Sequence, residues 1–201
     1  MSFTEFCTGD LLLFKGNWWI SRLIEYFSGG KYSHAGILIR NPRQIGIDLE
    51  DGDYILHSSW GKSSETGESI YGVHIENLQD VLSQYPQGAV DIRIVHAARN
   101  PYFYHKLKGI HERVHHKSYD MNLYDWLLAA SGKKPYGLPK WYRITSRFWC
   151  SALVSYVYDE LGWIDDIDWT LVSPSELSES GICIRWKVPV ESSKPFEYQN
   201  L

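Results

Sequence analysis

Apolar residues recur along this chain in two different rhythms, and the change from one to the other near residue 100 limits what it can fold into. Before the change they come as short runs bounded by glycine and polar turns: Leu11-Leu12-Leu13-Phe14, then 33–40, 54–58, 72–75 and 90–97. Such runs read as strands, and 54–58 is placed to pair with 33–40 through a hairpin. Two helices interrupt them. One, over 18–27, sets Trp19, Leu23, Tyr26 and Phe27 at helical spacing before Gly29-Gly30, and a short one covers 77–85. After the change, Asn100-Pro101 opens a helix to about residue 116, a shorter helix spans 124–131, and 148–161 is the strongest, closed by Gly162. A Lys/Pro/Gly loop over 132–142 is long enough for a lid or rim, Ser173-Pro174 begins a short turn, and 182–190 reads as a closing strand before a polar tail. Strands early and late with helices between them predict an α+β fold on a mostly antiparallel sheet. The 201 residues suit one domain, 1–201, with its core over about 9–190.

Composition removes several classes of function. A formal net charge of -4, without a basic stripe interleaved with aromatics, argues against nucleic-acid binding. Three cysteines, Cys7, Cys150 and Cys183, form no CxxC pair, so neither a disulfide framework nor a thiolate zinc site is expected, and a reducing compartment fits. The first residues lack the basic and apolar regions of a signal peptide, and no apolar stretch approaches the ~20 residues of a membrane span. A cytoplasmic protein is expected. The Trp18-Trp19 helix could rest on a lipid surface, although packing against the sheet explains its apolar positions more simply.

Two short segments far apart carry the chemistry. Cys150, in Phe148-Trp149-Cys150-Ser151-Ala152, stands at the start of the strongest helix, where unpaired amides and the positive end of the helix dipole favour a thiolate and can hold an oxyanion. His34, in Tyr32-Ser33-His34-Ala35-Gly36-Ile37, interrupts an apolar strand, and the two small residues after it leave room for a helix to approach. His57 ends the neighbouring strand, within reach of His34, and its expected role is to fix the tautomer of that ring. A thiol is only a few per cent ionised at neutral pH, so a base beside Cys150 is what nucleophilic catalysis requires. Cys7 and Cys183 read as small buried hydrophobes.

Gly9-Asp10-Leu11, Tyr32-Ser33-His34-Ala35-Gly36-Ile37, Tyr119-Asp120, Trp149-Cys150-Ser151-Ala152-Leu153-Val154 and Ser173-Pro174-Ser175-Glu176-Leu177 occur in an order that resembles permuted papain-like amidases. These form the circularly permuted branch of the NlpC/P60 superfamily, with YiiX- and YaeF-like members and the more distant lecithin:retinol acyltransferase-like enzymes. The resemblance implies a permuted papain-like fold in which the histidine strand precedes the nucleophile helix. It implies Cys150 as nucleophile, His34 as general base and His57 as third polar residue. A second histidine at that place is closer to the acyltransferase relatives than to the acidic residue common in YiiX-like chains. Tyr32 and Ser151, flanking base and nucleophile, are the substrate-binding candidates. The implied activity is thiol-dependent hydrolysis or transfer at an amide or ester of a peptide, lipid or cell-wall-like substrate, with no metal or organic cofactor.

Two alternatives remain open. A binding module of the same fold would keep the architecture without an activated Cys150. His111-Glu112-Arg113-Val114-His115 matches H-E-x-x-H, in which two histidines one turn apart bind zinc. Against that stand the charge of Arg113 between the histidines, the neighbouring Lys106, Lys108 and Lys117, and the lack of a third ligand downstream; these favour a solvated helix face.

Overall fold

A computed structural model describes residues 6–16, 30–119, 147–165 and 167–197. Its strands are β1 Leu11–Phe14, β2 His34–Arg40, β3 Asp53–Lys62, β4 Ser69–Asn77, β5 Val90–Arg93, β6 Ser118–Tyr119, β7 Arg147–Phe148 and β8 Lys194–Pro195. They form one sheet in the order β7-β6-β4-β3-β2-β1-β5-β8, in which every pairing among the described residues is antiparallel except β6 with β7. The α+β expectation holds. The helices are α1 Leu78–Ser83, α2 Pro101–Val114 and α3 Cys150–Leu161. Asn77 and Asn100 start the first two by accepting from backbone amides one turn on, and Gly162 ends α3 in the left-handed region that glycine enters without a Cβ clash.

Alternation along the strands divides the core. Leu11, Leu13, Ala35, Ile37, Tyr54, Leu56, Val73 and Ile75 face α2 and α3 and pack with Leu107, Ile110, Leu153 and Val157. Leu12, Phe14, Leu38, Ile55, Val90 and Ile92 point to the other face, under Leu78 and Val81 of α1. His34, His57, His74 and Glu76 share this second face by the same alternation. The fold thus brings a row of ionisable groups across three adjacent strands.

Three expectations need correction. Residues 182–190 do not form a strand: Trp186 and Val190 make isolated bridges to Ile164 and Val95, while the polar tail supplies β8 against β5. β3 runs on past the expected 54–58 through Gly61 to Lys62, because β4 continues opposite it. The regular part of the fifth strand stops at Arg93. The helices expected over 18–27 and 124–131, the whole 132–142 loop and Asp120 lie outside the described residues.

Candidate active site

Cys150 is placed by the way α3 begins. Phe148 and Trp149 are extended, so the chain turns abruptly into the helix, and Trp149 provides no side-chain cap for the first amides. Three side chains pin this corner: Ser58 Oγ donates to Phe148 O at 2.6 Å, Ser151 Oγ donates to Val172 O at 2.6 Å, and the Trp149 indole donates to the same Val172 carbonyl at 3.3 Å. The Cys150 sulfur accepts from the backbone amides of Ala35, Ser151 and its own residue. Even so, burial dominates and pushes the thiol up to about 11. The helix terminus therefore does not produce the resting thiolate the sequence suggests. Its amides are better suited to charge that develops during a reaction.

His34 opens β2 directly opposite Phe14 of β1, and its neighbour Ala35 is the residue whose amide reaches the sulfur. From His34 a chain of contacts crosses the sheet. His34 Nε2 lies 3.1 Å from His57 Nδ1, and His57 Nε2 lies 3.3 Å from both His74 Nε2 and Glu76 Oε2. Ser59 Oγ is 3.1 Å from His57 Nε2, and His74 is held by its Nδ1–H to Gly72 O at 2.9 Å. His74 Nε2 also lies 3.3 Å from Glu76 Oε2. Burial would raise the Glu76 carboxyl, but the His57 and His74 rings facing it outweigh that and bring its pKa down to about 2. An ionised Glu76 accepts from His57 Nε2–H, which leaves His57 Nδ1 to accept from His34 Nε2–H. His34 Nδ1 is then the unprotonated nitrogen. Burial pushes His34 well below the ordinary histidine value, with His57 and His74 adding to the effect. Burial also lowers His57, against the pull of Glu76.

Two glycines make the chain of rings possible. A Cβ at Gly36 would fall on the Ile55 side chain and within 3.2 Å of His57 Cβ. The small residue after His34 thus clears space for the second histidine rather than for the helix, which meets the strand at Ala35 on the other face. A Cβ at Gly61 would fall on Glu76 Oε2 and within 2.8 Å of His74 Nε2.

Of the residues read from sequence, His34 and His57 meet each other, and Cys150 meets the amide of Ala35, the residue after His34. Tyr32 does not line the site: it is buried, with its hydroxyl donating to Asp91 at 2.6 Å and meeting Ser193 at 2.9 Å. Ser151 fastens the helix start through its hydroxyl on Val172 O, and the same side chain meets the Cys150 sulfur. Ser175 explains the Ser-Pro-Ser-Glu-Leu segment by accepting from the Tyr32 amide at 3.1 Å, just before the histidine strand. Cys7 and Cys183 are partly exposed, not buried. His74 and Glu76 were missed. Their signal was two ionisable residues at period 2 in an otherwise apolar strand, on the face that register sets against His57.

No family model matches the chain, and no curated protein matches its sequence. Among solved structures, the metalloprotein YiiX from Escherichia coli O157:H7 superposes with a TM-score of 0.52 at 19% identity, over 79% of this chain and 68% of that one. The chain has the fold of YiiX. The YiiX-like resemblance carried by the motifs therefore holds at the level of architecture. Among the described residues of this YiiX-like fold, no helix is long and apolar enough to cross a membrane.

The H-E-x-x-H stretch lies on α2, and only part of it is a solvated face. Glu112 is exposed near Lys108, and Arg113 reaches Glu160 at 2.8 Å and the Tyr156 hydroxyl at 3.3 Å. His111 is buried, and with His115 it meets Glu65, from upstream in the sequence.

Proposed function

We propose that this chain is a cysteine-dependent acyl hydrolase or acyltransferase, with Cys150 as nucleophile, His34 as general base and His57 as the residue that orients it. The observation that carries the reading is the row His34–His57–Glu76, which leaves one free ring nitrogen on the residue adjoining the amide that contacts the Cys150 sulfur. With the thiol raised and the imidazole lowered, the resting pair is neutral. Catalysis then couples proton transfer to attack. The thiol proton passes to His34 Nδ1 as sulfur bonds to the carbonyl carbon of an amide or ester. Amides at the start of α3 stabilise the oxyanion, and His34 returns the proton to the leaving nitrogen or oxygen as that bond breaks. Water or another nucleophile, deprotonated by His34, then displaces Cys150 from the thioester. Peptide, lipid and cell-wall-like acyl donors all fit this chemistry. The three free cysteines suit a reducing, cytoplasmic setting.

The test is acylation by a series of p-nitrophenyl esters, followed by intact-protein and peptide mass spectrometry. The expected result is a single acyl adduct on Cys150, absent in Cys150→Ser and formed about 10²–10⁴-fold more slowly in His34→Gln. No adduct on Cys150, or equal rates in His34→Gln, would leave a binding module. A metal-based second reading draws on the description of YiiX as a metalloprotein and on His57, His74 and Glu76, whose ligand atoms lie within 4.8 Å of one another. It requires turnover that a chelator abolishes and that survives Cys150→Ser.

A further inference from the structure

We propose that Glu65, His111 and His115 form a divalent-metal site of the zinc class, separate from the cysteine site, that ties the β3–β4 turn to α2. His111 and His115 are one helical turn apart, which sets both rings on the same side of α2. Glu65 reaches them from the turn between Lys62 and Ser69. His111 Nε2 is 3.4 Å from Glu65 Oε2 and His115 Nε2 is 3.7 Å from Glu65 Oε1, and the three ligand atoms lie within 4.8 Å of one another. A tetrahedral zinc with ~2.0–2.2 Å bonds separates its ligands by about 3.3–3.5 Å, so the cluster is already near the required spacing.

The decisive feature is what these atoms lack. Glu65 Oε2 and His111 Nε2 are both buried, and neither completes a hydrogen bond, although they lie side by side. His111 as a whole is only 5% exposed. Two buried polar atoms in contact but not aligned as donor and acceptor are an unstable arrangement unless both point at a third group.

Two imidazoles and a carboxylate suit zinc better than calcium or magnesium, which prefer oxygen, or Cu(I), which prefers sulfur. Three protein ligands leave a fourth position for water or an incoming donor. Glu65, His111 and His115 themselves line a cleft of about 410 Å³, together with Ile47, Asp48, Lys108 and Glu112. The site does not depend on Cys150, and it includes none of the groups in the relay.

Zinc itself is the probe. Full-length protein is stripped with a chelator and titrated with Zn²⁺ by calorimetry, and Co²⁺ is added in parallel for its tetrahedral visible bands. One equivalent is expected, with Co²⁺ absorption of a tetrahedral nitrogen/oxygen site. Glu65→Gln and His115→Ala should each weaken binding by at least about 100-fold, while Glu76→Gln leaves it unchanged. His115 is partly exposed, so its variant keeps the test readable if His111→Ala fails to fold. Absence of the tetrahedral signal, or zinc retained by Glu65→Gln and His115→Ala but lost by Glu76→Gln, would overturn the proposal.

Discussion

Each of the two histidine–glutamate groups in this molecule gathers side chains from separate segments around one carboxylate, yet they treat their polar atoms differently. In the relay, neighbouring strands place His34, His57, His74 and Glu76 on one face, and each ring nitrogen that contacts its neighbour at 3.1–3.3 Å has a partner within the row. On α2, a helix and a turn bring His111 and His115 to 3.4 and 3.7 Å from Glu65 but leave two buried atoms unbonded. Satisfied atoms fix tautomers and pass orientation along a chain. Unsatisfied ones mark a place for something else to bind. Residue type alone would have treated the two groups as equivalent.

The same substitution made in both groups breaks the comparison most directly. Glu76→Gln removes the anion that holds His57 in its tautomer, and acylation of Cys150 should fall by about 10–100-fold while zinc binding persists. Glu65→Gln should do the reverse. Parallel ester kinetics and zinc titrations on both variants check this, and a common effect would mean that the two groups form one site.

Acid titration sharpens the contrast further. The folded protein holds His34 and His57 below the ordinary histidine value, so stability falls as pH drops below about 6.5, where the unfolded chain takes up those protons first. Glu76 is depressed to about 2. Its contribution is complete above its unfolded value of ~4.3 and disappears as pH falls toward about 2. Urea unfolding as a function of pH should therefore show two successive losses in the parent protein, with the second reduced in Glu76→Gln. A flat profile between pH 6.5 and 4.5 would contradict the neutral, buried relay.

The glycines that shape the relay give a smaller effect. Gly36→Ala forces a methyl into Ile55 and His57 and should cost about 1–3 kcal/mol, read as a lower urea midpoint, with a loss of acylation beyond the stability change. An active, stable Gly36→Ala would show that His57 can move without consequence. How far such features were legible follows from their range in sequence. The runs at Leu11–Phe14 and His34–Arg40, the asparagine starts of α1 and α2, and the Cys150 helix could all be read because each is encoded within a few adjacent residues. His34, His57 and Cys150 were found because each occupies a place its own segment makes unusual. His74 and Glu76 show only an ionisable alternation whose partners strand register decides, and Glu65 has no local peculiarity at all, since a turn brings it to the histidines. The carboxylate beside His111 and His115 comes from the preceding hairpin, not from downstream of His115. Residues 182–190 misled because their apolar residues serve isolated bridges and packing against the core rather than a ladder.

The smallest effect separates the motif on α2 from the site it belongs to. In the usual reading of H-E-x-x-H the glutamate is the working base, which here is Glu112. Glu112 is instead exposed at the edge of the cleft, 3.9 Å from Lys108, while Glu65 lies against both histidines. Glu112→Gln should change stability by less than about 0.5 kcal/mol and leave zinc affinity at the parent value. Measured beside Glu65→Gln, it asks which carboxylate the histidines use. Equal losses in both variants would mean that the histidines use both carboxylates, one from the turn and one from α2. Loss confined to Glu65→Gln would show that the turn and the helix create the site together, so the motif's own glutamate is incidental to holding the metal.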